Sequence, residues 1–302
     1  MFNPIIPQQL VYFNMNCHKS FTFSSSILLF LFLLSCSKEN EEANPVIPGE
    51  ETNYELVFED EFEGILPNPE NWGFERGFVR NEELQWYQEE NAFCEDGKLI
   101  IEGRREQVSN PGYSPGSSNW RESREFASYT SSSINTKGKH SWLYGRFEIK
   151  AKIETRRGLW PAIWTLGVEG EWPSKGEIDI MEYYADQILA NFAWGTEQRW
   201  VAKWDNYKKP ISDLPVNWAS EFHVWRLDWT EDKMEIYLDD QLMNRVYLHM
   251  TINPTGDIRN PFKQPHYLLL NLAIGSNGGD PTNTGFPVRY EIDYVRVYKE
   301  KG

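Results

Sequence analysis

Positive charge is in short supply in this chain of 302 residues: Lys and Arg total 30 against 45 Asp and Glu, a formal charge of −15. Such a field repels phosphodiester backbones, which argues against a nucleic-acid partner. Long apolar runs are missing after residue 36, so no transmembrane helix crosses the rest of the chain. Cysteine is rare, present only as Cys17, Cys36 and Cys94. The five histidines, at 18, 140, 223, 249 and 266, show no spacing suited to zinc. Transition-metal catalysis is therefore not expected, and no cofactor is called for. Sustained helical periodicity and internal repeats are also absent. What the chain has in abundance is aromatic, with 13 Trp, 15 Tyr and 17 Phe, enough for a sizeable core and too much for disorder.

The one apolar run, ILLFLFLL at 27–34, is too short to span a membrane; His18 and Lys19 precede it, and Ser35 and Cys36 follow. Leu33, Leu34, Ser35 and Cys36 resemble the lipobox of a bacterial lipoprotein signal, with cleavage before a Cys36 that carries diacylglycerol. The segment before Met15 is foreign to such a signal, so Met15 is an alternative start. On this reading residues 1–35 are a signal peptide and the protein is exported and lipid-anchored to the bacterial outer membrane, at the cell surface. The lipid is then the sole membrane contact. Taking the +1 of Lys19 from the −15 total leaves −16 on the exported part. Residues 36–53, with SKENEEANPVIPGEETN after the lipidated Cys, are acidic and too polar to pack, and read as a tether. The SKENEE run resembles surface-export signals of bacterial lipoproteins. Cys94 is then left without a partner, so no intramolecular disulfide forms, and a small buried apolar role suits it.

From Tyr54 the pattern is strand after strand. GRFEIKAKI at 145–153 puts Phe147, Ile149, Ala151 and Ile153 on one face and Arg146, Glu148, Lys150 and Lys152 on the other. FHVWRLDW and KMEIYLDD flank a polar TED at 230–232, which reads as a hairpin. HYLLLNLAI and YEIDYVRVY continue the pattern. Strands resume directly on both sides of the Gly-, Ser-, Pro- and Asn-rich loops at 108–123 and 275–287, so neither is a linker. The expected architecture is all-β, a single two-sheet sandwich over 54–299.

The most informative stretch is GEIDIMEYY at 176–184. Glu177 and Asp179 are two apart and share a strand face, whereas Glu182 in a regular strand faces the other way. A β-bulge at Ile180 or Met181 returns Glu182 to the same side. Three acids then line one face, with roughly 13 Å between the first and last Cα. Inward-leaning glutamates can narrow this toward the roughly 5 to 5.5 Å carboxyl separation of retaining glycosidases. The alternative is a solvated face on which acids happen to alternate. Against it, like charges on one strand face disfavour folding unless they are used. Their mutual repulsion also raises at least one pKa, which keeps a general acid protonated beside an ionised nucleophile.

GEIDIME resembles the active-site strand of glycoside hydrolase family 16 in its laminarinase-type form. FEDEFEG, NEELQWY, YGRFEIKAKI, WPAIWTLG, FHVWRLDWTEDKMEIYLDD, QPHYLLLNLAIG and EIDYVRVY extend the resemblance along nearly the whole domain, in family order. The resemblance implies a β-jelly roll with a concave substrate cleft. It casts Glu177 as nucleophile, Asp179 as its support and Glu182 as acid/base, in endo-hydrolysis of β-1,3-glucan or mixed 1,3/1,4-glucan by a monomer. It also implies that Trp160 and Trp164 are glycone-side stacking platforms, although the pattern alone fits core tryptophans equally. Asn81 and Arg146 are hydroxyl ligands by the same resemblance, and Arg146 fits a strand-edge ion pair as well.

One departure is FAWG, with Trp194, where many members carry a His in an AHG-like segment; Trp194 is expected to line the cleft. Trp200 and Trp204 either extend the aromatic platform or pack a loop, and Trp120 and Arg121 sit on a loop that either covers the cleft or does not. The family also commonly holds a structural calcium away from the cleft, which points to Glu61, Asp293 and the Gly97 carbonyl; turn-capping or solvation is the alternative. Two other functions compete. One is hydrolysis of agar, porphyran or carrageenan on the same scaffold, which calls for a basic cleft. The other is non-catalytic glycan binding at the cell surface, which leaves the three acids without a purpose.

Overall fold

The computed structural model describes residues 53–302. The expected signal at 1–35, Cys36 and all but the last residue of the tether lie outside the described residues. The chain forms a two-sheet β-jelly-roll sandwich. Seven strands build the sheet that carries the candidate site: β1 (Gly73–Phe74), β2 (Ser133–Asn135), β3 (Leu159–Gly167), β4 (Glu177–Tyr184), β5 (Gln187–Gly195), β6 (Ala202–Pro210) and β7 (His266–Ile274). Their spatial order is β6-β5-β4-β3-β7-β2-β1, and every pairing is antiparallel. The backing sheet centres on Gly145–Lys152, His223–Trp229 and Val288–Glu300, with Tyr54–Asp60 paired to the last of these. Among the described residues the helical segments are single 3₁₀ turns.

Alternation explains which sheet can carry chemistry. In Gly145–Lys152, Phe147, Ile149 and Ala151 are buried while the residues between them are not, the mark of a strand with one wet face. The TED segment turns between His223–Trp229 and Lys233–Leu238 as its flanking pattern requires. β3, β5 and β7 are instead buried, or nearly so, on both faces. One face of each joins the core between the sheets: Leu159 and Ile163 from β3, Leu268, Leu270 and Leu272 from β7. Each such side chain contributes about 1.5–3 kcal/mol when withdrawn from water. The opposite face carries a second apolar group, Ala162, Trp164, Leu166, Tyr267 and Leu269, which floors a cleft.

Candidate active site

β4 holds the key irregularity. Its pairing with β3 runs Glu182 to Ala162 and Met181 to Ile163, then jumps to Asp179 opposite Trp164. Ile180 is the extra residue, and the register with β5 shifts over the same interval. Ile180 and Met181 are consecutive, yet both are fully buried in the core with Ile178 and Tyr183. Two adjacent inward side chains are what a bulge produces, and they leave Glu177, Asp179 and Glu182 on the cleft side. Ala162, directly opposite Glu182, keeps space above the strand. Gly176, at φ 81°, starts the strand where a Cβ would lie 2.8 Å from Pro261.

Each glutamate is held by an indole. Trp160 Nε1 donates to Glu182 Oε1 at 2.9 Å, and Asn191 Nδ2 donates to Oε2 at 3.0 Å. Trp172 Nε1 donates to Glu177 Oε2 at 2.7 Å. Asp179 lies between them, buried, within hydrogen-bond reach of both glutamates. Burial, then the Glu182 and Glu177 charges, hold its carboxyl well above the usual aspartate range. Among the described residues its Oδ2 meets no N–H or O–H, which suits an acid held toward its protonated form beside two carboxylates. Burial and the Glu177 charge push Glu182 up to about 7, against the pull of its two N–H donors. Glu177 is raised by burial, with the Trp172 and Asp179 donors opposing. Three acids in one site thus share fewer than three charges at neutral pH.

The cleft encloses about 640 Å³. Its walls include Arg80, Asn81, Glu83, Lys175, Trp204 and Asn206 in addition to the acids and indoles. Asn81 lines it, with Nδ2 donating to Glu83 Oε1 at 3.3 Å. Trp160 and Trp164 also line it, although each ring is mostly covered. Trp164 donates from Nε1 to Asn271 Oδ1 at 2.7 Å and has the Arg80 guanidinium 5.0 Å from its ring centre. Trp204 borders the far end of the cleft, whereas exposed Trp200 stacks with Arg199. Trp120 packs on Phe78, 6.1 Å between ring centres, so its loop braces the segment before Arg80.

Several expectations need correction. Arg146 lies on the backing sheet, not in the cleft, and its Nε donates to Asp228 Oδ1 at 2.7 Å. It is the strand-edge ion pair. Trp194 faces the core, because it stands an odd number of residues from Asn191, which faces the cleft. Glu61 is paired with Arg296 at 2.7 Å and Asp293 with Lys150 at 2.7 Å. Glu61 and Asp293, named with the Gly97 carbonyl as calcium ligands, thus each face a cation in the described structure. Buried Cys94 has its thiol pushed up to about 11 by burial, which leaves it unreactive at neutral pH.

Residues that the sequence reading passed over include Trp172, Asn191, Arg80, Glu83 and Lys175. Trp172 stands five residues before Glu177, close enough along the chain to have signalled itself. Asn253 gives no local signal. It accepts from the Gly195 N–H at 2.7 Å and donates to Ser174 O at 2.7 Å, which ties the Trp172 loop to the end of β5.

Paired, proton-sharing carboxyls in an indole- and amide-lined groove on a jelly roll define a glycoside-hydrolysing enzyme. The chain belongs to the glycosyl hydrolases family 16, whose profile matches residues 81–296. It is 35% identical over 289 residues to a beta-glucanase of Rhodothermus marinus, covering 90% of this chain and 93% of that protein. The laminarinase catalytic domain of Thermotoga maritima superposes with a TM-score of 0.69 at 33% identity, covering 82% of this chain and 99% of that one. A structure described with endo-acting O-glycanases of the human gut microbiota, which initiate mucin breakdown, superposes with a TM-score of 0.76 at 32% identity, covering 83% and 92% of the two chains.

Proposed function

We propose that the protein cuts β-1,3-glucan, or mixed 1,3/1,4-glucan, within the chain and with retention of configuration. Glu177 attacks the anomeric carbon while Glu182 gives its proton to the departing oxygen. Glu182 as base then activates water, which releases the glycosyl-enzyme ester. Asp179 moves its proton along with these changes in charge, toward whichever glutamate is ionised. The observation that carries the reading is the bulge at Ile180, which puts Glu182 beside Glu177 and Asp179 with a pKa near neutrality. The named activities of the beta-glucanase and laminarinase relatives support the substrate. A lipid anchor at Cys36 would hold such an enzyme outside the cell, where a polysaccharide is met.

Reducing-end release from laminarin, barley β-glucan and agarose tests this, with wild type beside Glu177→Ser. The expected result is release from one or both glucans, none from agarose, and near-total loss in the variant. Binding without release would favour a lectin-like role. The likeness to the O-glycanase structure supports a second reading, hydrolysis of mucin O-glycans on the same machinery. A mucin arm in the assay separates the two: release from mucin alone would replace the β-glucan assignment.

A further inference from the structure

The chain is acidic overall, yet one arm of its cleft gathers cations. From Glu177 the cross-strand row runs to Leu166 on β3 and Tyr267 on β7. The ammonium groups of Lys137 and Lys175 lie 5.7 and 5.6 Å from the centre of the Tyr267 ring. Arg80, above Trp164, completes the group. Lysine ion pairs among the described residues are made by Lys150, Lys152 and Lys233, not by Lys137 or Lys175. Arg80 pairs with Glu75 through Nη2, while its Nη1 is shielded and meets no acceptor among the described residues. Burial and the Lys137 charge push the Lys175 ammonium below its ordinary value, against the pull of the Glu177 and Glu75 carboxylates.

Lys175 is also held in place. Its N–H donates to Glu171 O at 2.9 Å, and its carbonyl accepts from Gln264 Nε2 at 3.0 Å. Gly167 makes room for this loop, since a Cβ there would stand 2.0 Å from the Lys175 carbonyl oxygen. The braced backbone fixes where the Lys175 stem leaves the loop beside the cleft. Tyr267 is two strands from Glu177, roughly 10 Å at the usual spacing, so the cations meet a sugar beyond the one that reacts.

We propose that Lys137 and Lys175, backed by the Arg80–Glu75 pair, form an anion-accepting subsite, selecting glycans with a sulfate ester or a carboxylate on a sugar one or two units from the cleaved bond. The proposal rests on the reading of the cleft as a β-glucan hydrolase and adds the class of substituent. Either oxyanion can accept charge-assisted hydrogen bonds from the ammonium groups. Against an acidic chain, the two lysine charges are the local feature that draws in a charged glycan.

The test uses laminarin, laminarin sulfate and carboxymethyl-β-1,3-glucan with wild type and the Lys137→Met/Lys175→Met variant, in low and high salt. The quantity read is kcat/KM on each charged glucan relative to plain laminarin. It is expected to fall about fivefold or more in the variant, and to fall in wild type as salt screens the subsite. Loss in one charged arm alone supports the subsite and names its oxyanion. Equal ratios in both proteins at both salts overturn it. Retention of the same glucans by Glu177→Gln, with and without the two lysine changes, is measured in parallel. Salt-sensitive retention that needs the lysines upholds the subsite even where no glucan is cut, an outcome that removes the β-glucanase reading alone. Retention indifferent to the lysines removes the subsite.

Discussion

The two sheets carry the same kinds of charged side chain and treat them in opposite ways. On the backing sheet many acids find a cation: Arg146 with Asp228, Lys150 with Asp293, Lys152 with Glu291, and Glu235 with both Lys233 and Arg245, while half-buried Glu148 makes no ion pair among the described residues. On β4, Glu177, Asp179 and Glu182 have no ion-paired partner among the described residues and are held by indole and amide donors and by one another. Pairing with a cation keeps an acid ionised, and that is a structural use. Withholding the cation leaves the acid free to take up and release a proton near neutrality, and that is a chemical use. The lesson is that counter-ion supply, more than the number of acids on a strand, separates a solvated face from a reactive one.

The contrast sharpens first at Glu182. Glu182→Gln is expected to lose about 100- to 10,000-fold in kcat on an unactivated glucan, the usual worth of a positioned acid/base. The same variant should gain stability at alkaline pH. Because the folded pKa is about 7 and the ordinary value 4.5, wild type binds the proton more tightly when folded. Its stability from this group is complete below pH 4.5 and is lost as pH rises through about 7. Thermal melts should therefore show Glu182→Gln ahead of wild type at pH 8 by on the order of 2–3 kcal/mol, with the advantage gone at pH 4. A smaller effect is expected for Trp172→Phe, which removes the donor to Glu177: kcat falls about 10- to 100-fold, the worth of a hydrogen bond to a charged group. Its acid limb in the pH-rate profile should move to higher pH, since the lost N–H favoured the ionised form. The smallest effect belongs to the backing sheet. Arg146→Ala should cost less than about 1 kcal/mol in urea unfolding and leave glucan hydrolysis within about twofold; a large loss of activity there would erase the distinction between the sheets.

Much of this was legible along β4, because the apolar residues 178, 180, 181 and 183 include one adjacent pair, and an adjacent pair in a strand demands a bulge. The half-wet strand at Gly145–Lys152 was legible for the same reason of period. Trp194 misled because β5 is apolar on both faces, and periodicity carries no information about which side is which. Arg146 misled because local sequence does not say which sheet a strand joins. Arg80 and Asn253 reach the site region from segments that only the folded chain brings together, whereas Lys175, two residues before Glu177, was near in sequence; Glu61 and Asp293 face cations from other strands.

The central claim is that a single extra residue sets Glu182 against Glu177 and Asp179 so that their titrations are linked. A carbon-13 NMR titration of the Glu182 side-chain carboxyl, in wild type and in Glu177→Gln, tests it most directly. The account predicts a midpoint of about 7 in wild type that moves down when the Glu177 charge is removed, though not to the ordinary value, because burial remains the larger cause. An ordinary glutamate midpoint in both proteins, or one that ignores the change at Glu177, would contradict it.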